Sequence, residues 1–366
     1  MNPSRPPLLI VTALLVPYPL AAAVIIGVGQ GVVPYVSSLG PGGSGSSFLA
    51  FDVAFLGGVR VAGGDVNGDG HADFVAGAGP GGSPAIKVFD GQSGSELHSF
   101  SAYASGFSGG VYVAAGDING DGKADIITGP DSGGGPQVKI FSGADGGLLS
   151  SFFAYNPGWL GGVRVAAGDL TGDGVADIIT SPGAGGAPQV NVFNGATAAT
   201  EASFFAYDSA FQGGVFISTG DVNGDGKADI ITGPGAGAGP QVKVFDGVTR
   251  NLITSFFAYD VAYTGGVHVT AADLNGDGLA DIVTAPGSVA SGSAELKIFN
   301  PANGYALDSS FLYDYPSATD GIYLAATPVP EPSTVWSALT LTAVAMAGVR
   351  LAKLPGARAM RWGAAR

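Results

Sequence analysis

Apolar and polar positions alternate through most of this chain in runs of five or six residues, each broken by Gly, Pro, Asn or Asp. In Gln241-Val242-Lys243-Val244-Phe245 the period is two. Val and Phe share one side and Lys faces water, which predicts a β-strand with one buried face. Three other strand types accompany it. Gly162-Val163-Arg164-Val165-Ala166-Ala167 alternates and runs into an acidic loop. After the loop comes an apolar stretch, Ile178-Ile179-Thr180, ended by a Pro-Gly turn. An aromatic strand, Ser255-Phe256-Phe257-Ala258-Tyr259-Asp260, closes the unit.

The unit recurs. Its acidic loop opens at Asp65, Asp117, Asp169, Asp221 and Asp273, each 52 residues after the last. Four antiparallel strands per unit at this period predict an all-β fold, a β-propeller with one blade per repeat. Phe55, Phe107, Trp159, Phe211 and Tyr263 keep an aromatic three residues before Gly58, Gly110, Gly162, Gly214 and Gly266. Those rings are expected to pack between neighbouring sheets rather than stack on a ligand, and the glycines to allow close backbone approach near a central channel.

The ends of the repeat region carry partial units. Ser47-Phe48-Leu49-Ala50-Phe51-Asp52 matches the aromatic strand, and Val24-Ile25-Ile26-Gly27 and Pro34-Tyr35-Val36 match strands two and three. Gly321-Ile322-Tyr323-Leu324-Ala325-Ala326 matches strand one. Together they predict a sixth blade closed by N- and C-terminal strands, which removes two exposed sheet edges. Five blades with frayed ends is the alternative. The sixth blade has no acidic loop, because the chain leaves it at Thr327.

The loops read DVNGDGHAD, DINGDGKAD, DLTGDGVAD, DVNGDGKAD and DLNGDGLAD. Position 1 is Asp65, Asp117, Asp169, Asp221 or Asp273, and position 3 is Asn67, Asn119, Thr171, Asn223 or Asn275. Position 5 is Asp69, Asp121, Asp173, Asp225 or Asp277. His71, Lys123, Val175, Lys227 and Leu279 stand at position 7, where the backbone carbonyl can ligate, and Asp73, Asp125, Asp177, Asp229 and Asp281 at position 9. Oxygens at 1, 3, 5, 7 and 9 with glycine at 6 for the sharp turn form a donor set for a hard cation, and calcium is the ion expected, at about five sites. Asp, Asn and Gly also make metal-free turns. Three carboxylates in nine residues would then repel one another without compensation. Thr171 replaces the amide of the other loops with a hydroxyl, a poorer ligand, so the third site is expected to be the weakest.

Composition narrows the classes. Of 366 residues, 63 are Gly and 23 Pro, yet 46% are hydrophobic, too many for a disordered chain. There is no cysteine, which excludes disulfides and a thiol nucleophile. Residues 24–327 hold 28 of the 29 carboxylates and nine of the 15 basic residues, a balance of 9 − 28 = −19. Such a body disfavours nucleic acid, whose binding rests on Lys and Arg contacts to phosphate.

With strand signals on either side, the recurrent D-x-N-G-D-G-x-A-D loop resembles the FG-GAP or VCBS-type repeat, the blade of integrin α-subunit propellers and many bacterial surface proteins. The resemblance covers roughly residues 46 to 327. It implies calcium on Asp65, Asn67, Asp69 and Asp73 and on their equivalents in each repeat.

Both termini read as addresses. Residues 1–23 offer Arg5, an apolar stretch from Leu8 to Val16 and a small-residue site at Ala21-Ala22-Ala23, the order of a signal peptide, with an uncleaved anchor as the alternative. Residues 328–366 carry Pro330-Glu331-Pro332, an apolar helix from Val335 to Val349 and a basic tail from Arg350. That order resembles a PEP-CTERM sorting signal, which implies a Gram-negative host, an exosortase-type processing protease as partner, and membrane contact at least in transit. A plain membrane anchor is the alternative.

These features predict a non-enzymatic, calcium-binding propeller, exported and sorted to the cell surface or matrix. Its expected work is adhesion or exopolymer organisation, with extracellular polysaccharide or a surface protein as the partner. An extracellular enzyme acting on polysaccharide is the rival, since propellers host many chemistries. Against it, His71, His98 and His268 are the only histidines and none recurs beside a candidate serine nucleophile. Nor do the repeats show a unique polar cluster for the central channel. A structural matrix component without a specific ligand is the third reading.

Overall fold

The computed structural model describes residues 22–40, 45–288, 293–314 and 321–327. The predicted leader up to residue 21 and the sorting segment from 328 onward lie outside the described residues. Among the described residues no helix is long and apolar enough to cross a membrane.

Among the described residues, twenty-four strands form six four-stranded antiparallel sheets. β1 (Val24–Val28), β2 (Tyr35–Leu39) and β3 (Ser47–Leu49) come first. The first full blade is β4 (Val59–Gly64), β5 (Asp73–Ala78), β6 (Ala85–Phe89) and β7 (Glu96–Ser101). Next come β8 (Val111–Gly116), β9 (Asp125–Pro130), β10 (Gln137–Phe141) and β11 (Leu148–Phe153), then β12 (Val163–Gly168), β13 (Asp177–Pro182), β14 (Gln189–Phe193) and β15 (Thr200–Phe205). The last full blades are β16 (Val215–Gly220), β17 (Asp229–Pro234), β18 (Gln241–Phe245) and β19 (Leu252–Phe257), and β20 (Val267–Ala272), β21 (Asp281–Pro286), β22 (Ser293–Asn300) and β23 (Ala306–Asp314). β24 (Ile322–Ala326) returns to the start of the chain, where it pairs antiparallel with β1 in register Ile26↔Leu324.

The fold is thus a six-bladed propeller, and the order β24-β1-β2-β3 makes the sixth blade from both chain ends. Inner strands β4, β8, β12, β16, β20 and β24 each touch the next, and β24 touches β4, closing the ring. Thr327 then seals the blade: its N–H donates to the Ala23 carbonyl, and its Oγ1 accepts the Ala23 N–H at 2.7 Å. Ala22, assigned to the leader on sequence, is buried and donates its N–H to the Asp273 carbonyl. The blade therefore begins two residues before Val24.

Each second strand is buried along its whole length, because the blades pack on both of its faces. Ile178 and Ile179 point to opposite faces and are both 0% exposed. Each therefore contributes about 1.5–3 kcal/mol of burial. Outer strands alternate between half-buried and exposed positions, as in Thr200–Phe205.

Two expectations need correction. The aromatic strand of the fourth repeat runs Leu252–Phe257 and stops before Tyr259. Freed from its own sheet, Tyr259 donates its hydroxyl to the Glu295 carbonyl in the next blade, as Tyr103 does to Gln137, Tyr155 to Gln189 and Tyr207 to Gln241. The third-strand lysines likewise do not simply face water. Lys139 and Lys243 reach back to the carbonyls of Ala102 and Ala206 and lie over the rings of Tyr103 and Tyr207. A flexible stem lets the ammonium find a carbonyl and a π-face at a sheet-to-sheet seam.

Candidate functional site

The five acidic loops join the first strand of each blade to the second, so they emerge on one face of the ring. Glycines at positions 4 and 6 take positive φ, 80° at Gly68 and 85° at Gly70, a conformation that side chains resist. The Asp65 carboxylate accepts the N–H groups of Gly68, Asp69 and Gly70; Asn67 Oδ1 accepts from Asp69, and Asp69 Oδ1 from His71. Asp117, Asp221 and Asp273 organise their loops in nearly the same way.

Position 9 differs from the rest. Asp73, Asp125, Asp177, Asp229 and Asp281 are buried, and their carboxylates accept N–H groups from position 2 of the same loop. Gly91, Gly143, Gly195 and Gly247, in the hairpin after the third strand, supply a further donor to the first four. In the fifth blade the corresponding sequence is Phe299-Asn300-Pro301, and proline has no N–H to give. Burial raises the pKa of all five carboxyls, to about 6 at Asp177 and Asp229 and to about 7 at Asp281, where the donor is missing.

The third loop differs from the others in its side-chain bonding. Thr171 does not accept the Asp173 N–H; its hydroxyl points back and donates to Asp169 Oδ1 at 3.4 Å. Among the described residues no group of three or more His, Cys, Asp or Glu side chains is assembled to hold a metal ion, and the position-1 carboxylates accept backbone N–H groups. Three N–H groups on the Asp65 carboxylate leave acceptor capacity on a group with about four lone-pair sites, and Asp69 carries still fewer. The donor set is all oxygen and suits a hard cation.

The loops are also chained together. Position 1 offers its carbonyl to the N–H of position 8 in the next blade: Asp65 to Ala124, Asp117 to Ala176, Asp169 to Ala228 and Asp221 to Ala280, at 2.7–2.8 Å. Asp273 continues the series to Ala22.

A second constellation, not foreseen from the sequence, occupies the opposite mouth of the channel. The second residues of the six inner strands are Arg60, Tyr112, Arg164, Phe216, His268 and Tyr323, and each stacks on the next. Arg60 lies 5.3 Å from the Tyr112 ring centroid, and Arg164 lies 5.9 Å from Tyr112 and 3.7 Å from Phe216. Phe216 and His268 are 4.0 Å apart, His268 and Tyr323 4.8 Å, and Arg60 closes the girdle 4.4 Å from Tyr323. The expectation that the channel lacks a unique polar cluster is therefore wrong. The signal was present: the inner strands read Gly-Gly-Val-x-Val in four blades, Gly-Gly-Val-x-Ile in the fourth and Asp-Gly-Ile-x-Leu in the sixth, and x takes Arg, Tyr, Phe or His. His268 is buried, and burial, reinforced by Arg164, pushes its pKa down to about 3, so the imidazole is neutral. His71 stays exposed on its loop, and His98 Nε2 meets the Gly143 carbonyl in the neighbouring blade. The connector aromatics are half-buried. Phe107 and Phe211 pack edge-on against Tyr103 and Tyr207, and Trp159 donates to the Gly162 carbonyl, so the rings fasten the crossings between blades.

A model of the FG-GAP-like repeat matches residues 65–128 and 221–284, each match starting at position 1 of an acidic loop. The chain carries FG-GAP-like repeats. Among solved structures, the chain is similar to one in the crystal structure of a nidogen/laminin complex, with a TM-score of 0.50 at 10% identity, over 84% of this chain and 97% of that one. It is also similar to rhamnogalacturonan lyase YesW, with a TM-score of 0.42 at 16% identity, over 78% of this chain and 59% of the lyase. At such identities the likeness of the FG-GAP-like blades to these proteins concerns the fold alone.

Proposed function

We propose that this FG-GAP-like propeller is a non-enzymatic, exported protein whose five loops bind calcium structurally, and that it serves adhesion or exopolymer organisation at the cell surface or matrix. The observation that carries the reading is the double use of position 1. Its carbonyl joins one blade to the next, while its carboxylate lies among the loop oxygens. An ion held there would fix the residue on which the ring's continuity depends.

In the first loop the holders would be the side chains of Asp65, Asn67, Asp69 and Asp73 with the carbonyl of His71; the other loops follow position by position. When bound, calcium supplies positive charge. Five divalent ions would offset ten charges of a body carrying about −19, a repulsion that otherwise opposes the compact state. Export and sorting rest on the terminal segments, where an exosortase-type protease would process the Pro330-Glu331-Pro332 region. Calorimetric titration of calcium into purified protein tests the metal reading: about five sites are expected, and no binding at millimolar calcium would refute it.

A further inference from the structure

Arg60 and Arg164 occupy the same place in two blades, and one of them has a carboxylate that the other lacks. Arg60 Nη2 donates to Asp131 Oδ2 at 2.8 Å, across 71 residues. The residue 71 positions beyond Arg164 is Gly235, and a Cβ there would lie 1.9 Å from the Gly213 carbonyl oxygen. That position therefore provides no acid for Arg164, and among the described residues Arg164 is in no salt bridge. Arg164 is 8% exposed, and its Nε and Nη1 are buried with no hydrogen-bond partner. Stacking on Phe216 offsets part of the cost of burying that charge but satisfies no N–H.

Beside it opens a cavity of about 630 Å³ at the girdle mouth, lined by Arg164, Tyr112, Phe211, Gln212, His268 and Ser288 among others. That volume is the size of a small-molecule site, with apolar rings and a few convergent polar groups. We propose that this cavity binds a compact oxyanion, a carboxylate by preference, held by charge-assisted hydrogen bonds from Arg164 in the place that Asp131 takes at Arg60. Tyr112 and Phe211 offer faces for the body of the ligand, and Gln212 and Ser288 offer polar groups at the rim. A neutral His268 leaves the positive charge of this part of the girdle to Arg164. The site stands on the opposite face from the acidic loops and does not depend on calcium.

The test uses the purified protein with two probes, sodium galacturonate and inorganic phosphate, titrated calorimetrically and followed by thermal melts. At least one probe should bind and raise the melting temperature, and galacturonate binding tighter than phosphate would establish the carboxylate preference. Arg164→Met, which keeps the stem and removes the donors, should weaken binding at least tenfold, and Arg164→Lys should restore only part of it. If Arg164→Met does not fold, the wild-type titrations still decide. Neither heat nor melting shift with either probe at 10 mM overturns the proposal, as does undiminished binding by a folded Arg164→Met.

Discussion

The carbonyl of Asp65 accepts the N–H of Ala124 at 2.7 Å, joining the first residue of one acidic loop to the eighth of the next. Equivalent bonds follow around the ring and end at Ala22. Order in one loop is therefore coupled to the seating of the following blade, and an ion that rigidifies a loop acts on the ring as well as locally.

The loops should differ in calcium affinity. Asp225→Ala takes a ligand from a loop whose Asn223 amide oxygen already holds the Asp225 N–H. Asp173→Ala strikes a loop in which Thr171 points its hydroxyl at Asp169. Calorimetry should show the larger loss of affinity for Asp225→Ala, and Thr171→Asn should strengthen the third site. Equal losses would make Thr171 a competent ligand.

Tyr207→Phe should destabilise the ring without touching a loop. The phenol donates to the Gln241 carbonyl at 2.9 Å and lies within 3.2 Å of Thr232 Oγ1, and burial pushes its pKa up. Removing the hydroxyl strands buried partners at a cost of about 1–3 kcal/mol. Denaturant titration should report a loss in this range, and wild-type stability would mean that the blade seam does not rely on this bond.

Ile25→Ala tests the closing blade. Ile25 in β1 is 0% exposed and packs against Val59 and Val61 of the first full blade. If the sixth blade unfolds with the rest, the substitution should lower the stability of the single main transition by about 2–5 kcal/mol. A separate early transition, with the main one unmoved, would mean five blades cooperate and the ends fray.

His268 should make the propeller acid-sensitive. Its partners are the Ile322 carbonyl, the Phe216 and Tyr323 rings and the charges of Arg164 and Arg60. The unfolded imidazole takes a proton near its ordinary value of 6.5, whereas the folded one, pushed down to about 3 by burial, does not. Stability from this group is therefore complete above about pH 6.5 and is lost as pH falls toward 3, by at most about 1.4 kcal/mol per pH unit. His268→Phe, which keeps a ring in the stack, should lose stability less steeply than wild type between pH 6.5 and 4. Parallel stability curves would show that His268 contributes nothing to the acid limb.

The blades were legible in the sequence because period-two strands and the acidic loop recur every 52 residues, and even the sixth blade could be assembled from Ser47–Asp52 and Gly321–Ala326. Contacts between blades were not. Tyr259 reads locally as the end of a strand, and only the ring places its hydroxyl on Glu295. The girdle escaped for the opposite reason. Arg60, Tyr112, Arg164, Phe216, His268 and Tyr323 share no single chemistry, so a search for recurrence passes over a strand position at which the repeats disagree. Position 9 reads locally as a loop ligand, whereas its burial depends on the hairpin donors Gly91 and Gly247, which lie 18 residues beyond Asp73 and Asp229.

Thermal melts of the purified protein in EDTA and in 10 mM calcium test the structural role of the ion most directly. Ligand bound only to the folded state stabilises it by mass action, about 1.4 kcal/mol per site at ten times the dissociation constant. Extracellular calcium modules have constants of about 10⁻⁴ to 10⁻³ M. The account predicts a melting temperature clearly higher in calcium than in EDTA, with the increase reduced by Asp225→Ala; identical melting temperatures in the two buffers would contradict it.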